Sequence, residues 1–154
     1  MIDLHTHILP GLDDGAASPA EALQMAALAA AGGTAAVVAT PHVISGLYDN
    51  TRLQIMAAVD RLNCSLAAEN IALQVLPGAE YRLEPDLSRH LQAGRLLTIN
   101  DTGRYLLVEL PPAMVPGYAE QLFYEIQLQG VTPLLAHPER HPELSRSPQT
   151  LYNL

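Results

Sequence analysis

The sequence predicts a single α/β domain built on a parallel sheet, because strand-like runs alternate with helix-like stretches along all 154 residues. A second observation is chemical, since each of the five strand-like runs ends in a histidine or a carboxylate. In a barrel of βα units the carboxyl ends of the strands meet on one face, where these side chains would converge. An open doubly wound sheet is the competing interpretation, but its usual glycine-rich phosphate loop is missing.

Local signals place the elements in order. Ser18-Pro19-Ala20-Glu21 combines an N-cap serine, a proline at the first helical position and a capping-box glutamate, and Gly32-Gly33 ends the helix. A second helix opens at Asn50 or Thr51. The predicted strands cover 1–5, 35–39, 71–76, 105–110 and 131–136, and two later helices cover 85–94 and 118–129.

Composition excludes several classes of protein. The net charge of −8 and the eight scattered arginines argue against a nucleic-acid partner. Cys64 is the single cysteine, so the chain forms no internal disulfide and suits the reducing cytoplasm. The chain opens directly on a strand, so no signal peptide is expected. The apolar run from Ala22 to Ala39 is interrupted by Gly32-Gly33, which predicts a helix followed by a strand and no membrane insertion.

The first strand carries two candidate metal ligands, His5 and His7. Side chains two residues apart on a strand point to the same side, so both imidazoles can reach one ion. Asp13-Asp14-Gly15 follows, and either carboxylate could swing over the strand end or form a simple Asx turn. His42 ends the second strand after Thr40-Pro41.

Glu80, Glu109 and His137 end the remaining strands. Glu109 lies in an apolar run without a basic neighbour, and a buried carboxylate is costly unless it is paired or binds a metal. Arg140 lies three residues after His137. It could bind a phosphoryl group through two parallel N–H donors of its guanidinium, or form an ion pair with Glu139 or Glu143. Two or three metals held here would suit hydrolysis of phosphate esters.

Three further residues carry no predicted chemistry. His90 and His141 lie away from the strand ends and are expected to face solvent. Cys64 lacks the Cys-x5-Arg loop of a cysteine phosphatase.

The chain end raises a question about completeness. Five strands cannot close a barrel, which typically needs about 250 residues. Ser147-Pro148 opens another helix that reaches only to Leu154. We therefore expect the sequence to be the N-terminal portion of a longer domain.

Taken together, these motifs resemble the PHP (polymerase and histidinol phosphatase) superfamily. Within it the chain is most similar to the bacterial metal-dependent tyrosine-protein phosphatases of the CpsB/CapC family, which act in capsule and exopolysaccharide biosynthesis. The resemblance extends along the whole chain. The residues that carry it are Asp3-x-His5-x-His7, Asp13-Asp14-Gly15, Thr40-Pro41-His42, Gly78-Ala79-Glu80, Glu109 and Ala136-His137-Pro138-Glu139-Arg140.

The resemblance implies one PHP domain over residues 1–154, comprising about the first five βα units of a distorted (β/α)7 barrel. It implies up to three divalent ions, manganese first and iron, zinc or cobalt as alternatives. The first would be held by His5, His7 and Glu80, the second by Glu80, Glu109 and His137, and the third by Asp14 and His42. Arg140 would assist phosphate binding or departure of the leaving group. The family's final Asp-x-His motif is not in this chain.

The same resemblance implies hydrolysis of phosphotyrosine on the tail of a bacterial tyrosine kinase. One alternative is a PHP phosphoesterase acting on a small phosphate monoester such as histidinol phosphate. Such relatives usually have histidine at the position that corresponds to Glu109. Another is an inactive fragment that persists as a homo-oligomer, since exposed apolar sheet edges favour self-association.

Overall fold

A computed structural model describes residues 1–154 as an α/β structure of seven strands and six helices. The strands are β1 (Ile2–Thr6), β2 (Ala36–Ala39), β3 (His42–Val43), β4 (Gln74–Pro77), β5 (Glu80–Arg82), β6 (Tyr105–Glu109) and β7 (Thr132–Leu135). The helices are α1 (Pro19–Ala31), α2 (Arg52–Ala68), α3 (Leu87–Gln92), α4 (Ala119–Leu128), α5 (Pro142–Arg146) and α6 (Pro148–Asn153). Short 3-10 turns occupy Ile99–Asp101 and Pro138–Arg140.

The strands form two parallel sheets, ordered β1-β2-β4 and β3-β5-β6-β7. Ala36 pairs with Gln74 in the first and His42 with Glu80 in the second, both 38 positions apart. The register therefore continues unchanged from β2 into β3 and from β4 into β5. The two sheets are halves of one bent layer in which the chain segments follow one another in sequence order. The predicted α/β class and parallel pairing are confirmed.

The prediction of five strands was wrong in one respect. The strands predicted at 35–39 and 71–76 correspond to β2 and β4, and each is followed, after Thr40-Pro41 and after Gly78-Ala79, by a further short strand that was not predicted. Pro41 has no N–H to donate, although its carbonyl still accepts from the Glu80 amide at 3.0 Å. Gly78 packs so tightly that a Cβ there would lie 2.7 Å from Val38 Cγ1. Consequently His42 and Glu80 begin short new strands, where the sequence analysis placed them at strand ends.

Capping residues explain where the two long helices begin. The Ser18 hydroxyl accepts from the Glu21 amide at 3.2 Å, but Glu21 accepts from Ala17 and not from Ser18, so the predicted capping box is only half formed. Thr51, not Asn50, caps α2, and it forms a complete capping box with Gln54. Helix α5 was not predicted, and five residues are too few for a periodic apolar pattern.

The main core lies between the strands and the helices packed against them. Helix α2 buries a stripe at helical spacing, Ile55, Val59, Leu62 and Leu66, while α4 buries Leu122, Phe123 and Ile126. None of the helices combines the length and hydropathy that crossing a membrane requires. Helix α2 packs against β4 and α4 against β7, which positions these strands beneath the polar cleft.

Candidate metal centre

An open cleft of about 780 Å³ lies where the carboxyl ends of the strands meet. Its wall contains His5, His7, Asp14, His42, Glu109, His137 and Arg140. Glu80, which is fully buried, lies beneath them and contacts four of these residues. All eight residues predicted to form the site are therefore brought together in one place.

Glu80 is the common partner of four imidazole rings. Its Oε2 lies 3.0 Å from His5 Nε2, 3.3 Å from His7 Nε2 and 3.2 Å from His42 Nδ1. Its Oε1 lies 3.0 Å from His137 Nε2. Burial by itself would raise the pKa of Glu80, but the hydrogen bonds from His5 and His7 outweigh it and hold the pKa well below its usual range. Glu80 is therefore a carboxylate at neutral pH.

Asp13 fixes the orientation of the His7 ring through its Nδ1, on the other side of the ring from Nε2. The Asp13 Oδ2 atom accepts from His7 Nδ1 and from the His42 amide, while Oδ1 accepts from the Gly15 amide. Asp13 thus forms the Asx turn considered for it and also fixes the tautomer of His7, leaving Nε2 turned towards Glu80. Burial opposes ionisation of Asp13, yet the hydrogen bond with His7 and the two amides lower its pKa.

Gly15 lets the aspartate loop approach the first strand. A Cβ at this position would lie 2.1 Å from the carbonyl oxygen of His7, which no side chain could tolerate. The loop therefore rests directly on the His7 backbone, with Asp13 beneath the cleft and Asp14 above it.

The donor set fits divalent cations. His42 Nδ1 is buried and lies near Glu80 Oε2, but the angle between them allows no hydrogen bond. His5 Nε2 and His7 Nε2 lie only 3.2 Å apart while both face the same carboxylate oxygen. Imidazole nitrogens and carboxylate oxygens suit Mn, Fe, Zn and Co. Three groups of ligand atoms converge closely enough to share an ion: His5, His7 and Glu80; His7, Asp14 and His42; and His42, Glu80 and Glu109.

These groups differ in part from the sets implied by the family resemblance. The first group is the same, whereas His7 joins Asp14 and His42 in the second. His137 lies 3.0 Å from Glu80 and 3.6 Å from Glu109 but is outside the three converging groups. His42 lies between the groups, because Nδ1 faces Glu80 and Nε2 faces Asp14 at 3.8 Å.

Glu109 has a basic partner, contrary to the expectation that it has none. Arg82 on the neighbouring strand β5 reaches Glu109 Oε2 with Nε at 3.0 Å and Nη2 at 2.9 Å. The expectation was wrong because the partner lies across the sheet and not within the apolar run. Since Arg82 occupies Oε2, the other oxygen, Oε1, is the one left facing His137.

The outer part of the cleft is exposed. The side chain of Asp14 is 68% exposed and that of Arg140 is 78% exposed. Arg140 Nε lies 4.0 Å from the nearest carboxylate oxygen, on the equally exposed Glu139, while Glu143 accepts from the Val115 amide instead. The guanidinium of Arg140 is thus available to an anion in the cleft.

His141 does not face solvent as expected. It is only 7% exposed and lines the cleft wall, whereas His90 is half-buried on α3. Cys64 is exposed on α2 and has no disulfide partner. Sequence reasoning missed Arg82 and His141, and it did not recognise that Asp13 supports His7. The Asp13-Asp14-Gly15 motif was the one available signal among these.

The chain matches the family described as "Capsular polysaccharide synthesis, CpsB/CapC" over residues 1–154. It is 46% identical over 154 residues to the tyrosine-protein phosphatase YwqE of Bacillus subtilis, spanning 100% of this chain and 60% of YwqE. It is 29% identical to the tyrosine-protein phosphatase CpsB of Streptococcus pneumoniae, over 100% of this chain and 63% of CpsB.

Comparison with a solved structure shows the same similarity at the level of the fold. The structure comes from work on YwqE of Bacillus subtilis and CpsB of Streptococcus pneumoniae, described as "unique metal-dependent tyrosine phosphatases". It superimposes with a TM-score of 0.94 at 46% identity, covering 99% of this chain and 61% of that one. The chain therefore spans about three fifths of the length of these relatives.

Proposed function

Since this chain belongs to the CpsB/CapC family, we propose that it acts in a metal-dependent protein-tyrosine phosphatase, a phosphoric monoester hydrolase. The relatives named as tyrosine-protein phosphatases share its whole length, although it spans only part of theirs. The observation that carries the proposal is the convergence of four imidazoles on the buried carboxylate of Glu80, below an open cleft with an exposed arginine.

Seven residues are proposed as metal ligands: His5, His7, Asp14, His42, Glu80, Glu109 and His137. We propose divalent cations at up to three positions, manganese first, with iron, zinc and cobalt as alternatives. When bound, such cations supply Lewis-acid chemistry and acidify a bound water. Glu80 would contribute to two of these positions, because its Oε2 faces His5, His7 and His42 and its Oε1 faces His137.

Arg140 is proposed to bind the phosphoryl group. A guanidinium offers parallel N–H donors to two phosphate oxygens, and its charge would stabilise the negative charge that grows in the transition state. Its one ion pair, from Nε to the exposed Glu139, is long at 4.0 Å and solvent-screened, so the guanidinium can still bind a phosphoryl group. Arg82 is already committed to Glu109, so it would orient that carboxylate and not the substrate.

The proposed architecture is the first five βα units of a distorted (β/α)7 barrel of the PHP type, one domain over residues 1–154. Sequence-order placement of the strand segments in a single bent, parallel layer supports it. In such a barrel the site lies at the carboxyl ends of the strands, as the cleft does here.

The proposed substrate is the phosphotyrosine tail of a bacterial tyrosine kinase that controls capsule or exopolysaccharide synthesis. An open cleft with an exposed arginine suits a residue carried on a polypeptide. We further propose a cytoplasmic location, which the free Cys64 supports, and no nucleic-acid partner, which the net charge of −8 supports. Self-association is proposed through β1, an edge strand whose Ile2 and Leu4 are exposed.

The test is turnover of a phosphotyrosine peptide by the chain with added Mn²⁺, compared with turnover of histidinol phosphate. We expect the peptide to be preferred, and chelation followed by re-addition of Mn²⁺ should abolish and restore the rate. His5→Ala should remove activity, whereas His90→Ala, a histidine outside the cleft, should not. Equal loss in both variants, or turnover unaffected by chelation, would contradict the proposal.

A further inference from the structure

His141 is the one buried histidine of the cleft wall that has no proposed metal to bind. Its ring is 7% exposed, and its Nε2 lies 3.0 Å from the backbone carbonyl oxygen of Pro111. A carbonyl oxygen can only accept, so Nε2 must carry the proton and donate. The other nitrogen, Nδ1, is buried without any hydrogen-bond partner.

The segment between His137 and His141 is a strained turn. His137 has a φ of 29°, in the left-handed region that a non-glycine residue enters at a cost of roughly 1–3 kcal/mol. Only two backbone hydrogen bonds close the turn, from the Arg140 amide to the His137 carbonyl at 3.0 Å and from the His141 amide to the Pro138 carbonyl at 3.1 Å. The strained backbone of His137 and the unpaired Nδ1 of His141 are both unfavourable, so contacts outside the turn must stabilise it.

The His137 ring contacts Glu80 at 3.0 Å, the Ser145 hydroxyl donates to the Glu139 carbonyl at 3.1 Å, and the other outside contacts come from the loop after β6. His141 donates to Pro111, and further along Glu143 accepts from the Val115 amide at 2.8 Å. Leu144 is buried in the core next to these contacts. Of the contacts with this loop, the His141 hydrogen bond is the nearest to Arg140, because His141 is the next residue in the chain.

Arg140 depends on this backbone for its position. Its side chain is 78% exposed and its one ion pair, from Nε to the exposed Glu139, is long at 4.0 Å, so that pair orients the guanidinium only weakly. A shift of the turn would therefore move Arg140 directly. It would also move the backbone of His137, whose ring contacts Glu80.

We propose that His141 is a positioning residue that latches the turn 137–141 to the Pro111 carbonyl and thereby sets where Arg140 presents its guanidinium to a phosphoryl group. The latch itself consists only of a hydrogen bond within the chain, whereas its consequence for turnover rests on the proposed phosphatase function. It uses the Nε2–H donor only and requires no change in the protonation of His141.

Two substitutions separate the donor from the shape of the ring. In His141→Gln the side-chain amide can place an N–H near the position of Nε2, whereas His141→Leu keeps the bulk and removes the donor. His90→Leu on α3 is the matched control. If His141→Leu does not fold, His141→Asn replaces it, because the shorter amide reaches only the position of Nδ1.

The first measurement is hydrogen exchange of the Arg140 amide, which does not depend on activity or metal. We expect exchange to be about tenfold faster in His141→Leu, unchanged in His90→Leu and close to the parent in His141→Gln. An unchanged Arg140 amide in His141→Leu would overturn the latch. Equal acceleration in His141→Gln and His141→Leu would also overturn it, since the donor would then be irrelevant.

The second measurement is turnover of a phosphotyrosine peptide with Mn²⁺. We expect His141→Leu to lower kcat/KM about tenfold in the parent but less than about twofold in an Arg140→Ala background. An equal loss in both backgrounds would overturn the proposed action through Arg140. If the parent itself shows no turnover, the proposed phosphatase function fails, and the exchange result still decides whether the latch exists.

Discussion

The floor and the rim of the cleft differ sharply in how far their side chains are constrained. We define the floor as Glu80 with His5, His7, His42 and His137, and the rim as Asp14, Glu139 and Arg140. On the floor, every imidazole lies within 3.3 Å of one buried carboxylate. On the rim, the side chains of Asp14 and Arg140 are 68% and 78% exposed, and their nearest polar partners, His42 and Glu139, are 3.8 and 4.0 Å away.

This difference indicates a division of labour. On the floor, the strands and the Asp13 loop hold the proposed ligands in place through contacts within the chain. Arg140 on the rim makes only one long ion pair, so its guanidinium can bind an anion without first breaking strong contacts. Substitutions on the floor should therefore abolish metal binding, whereas substitution of Arg140, which is not a proposed metal ligand, should spare it.

The largest expected effect is that of Glu80→Gln. The amide keeps the volume but removes the charge shared by four imidazoles, so we expect loss of bound Mn²⁺ and a fall in turnover of about a thousandfold. Metal content after dialysis and turnover of a phosphotyrosine peptide measure the two effects. Glu69→Gln, at the exposed end of α2, is the control. Retention of both metal and rate would show that the floor is not the metal centre.

Arg140→Ala should have the next largest effect. Removal of one charged donor from a developing oxyanion costs about 10²–10³ in rate, and we expect a fall in kcat/KM within that range. Mn²⁺ content should not change, since Arg140 contacts none of the floor residues. Arg61→Ala on the exposed face of α2 provides a control of the same charge change. Lost metal in Arg140→Ala would contradict the division between floor and rim.

Asp13→Asn tests the support beneath the floor. The amide can still accept from the Gly15 amide but no longer stabilises His7 as a carboxylate does, so Mn²⁺ affinity should fall about 10–100-fold. Titration calorimetry measures that affinity. Asp60→Asn, exposed on α2, controls for the lost charge. Unaltered affinity in Asp13→Asn would mean that His7 is held without its carboxylate.

The smallest expected effect is a pH dependence of stability. The hydrogen bonds to Asp13 and Glu80 raise the pKa of His7 from 6.5 to about 10 in the metal-free chain. A raised pKa means that this stabilisation is complete below about pH 6.5 and is lost as the pH rises through about 10. In chelator, the Tm should therefore fall across this range.

With Mn²⁺ present the trend should weaken or reverse, because a metal competes with the Nε2 proton and binds better at higher pH. Thermal melts in chelator and in Mn²⁺ over the same pH range provide the comparison. A Tm in chelator that rises from pH 6.5 to pH 10 would contradict the assignment of His7 as the shared donor.

Local sequence signals were sufficient for much of the framework. The serine and threonine caps located α1 and α2, and buried apolar runs located β2 and β6. Strands β3 and β5 were missed because two- or three-residue strands have no measurable period. Helix α5 was missed for the same reason.

The sequence by itself determined which candidate ligands the chain carries and that they converge, because strands in a parallel layer bring their carboxyl ends to one edge. Only the tertiary structure decided their partners. Arg82 on β5 forms an ion pair with Glu109 on the adjacent strand β6, and His141 donates a hydrogen bond to the Pro111 carbonyl in the loop after β6. Such pairs join residues roughly thirty positions apart and follow no period, so they exist only once the layer has formed and buried them together.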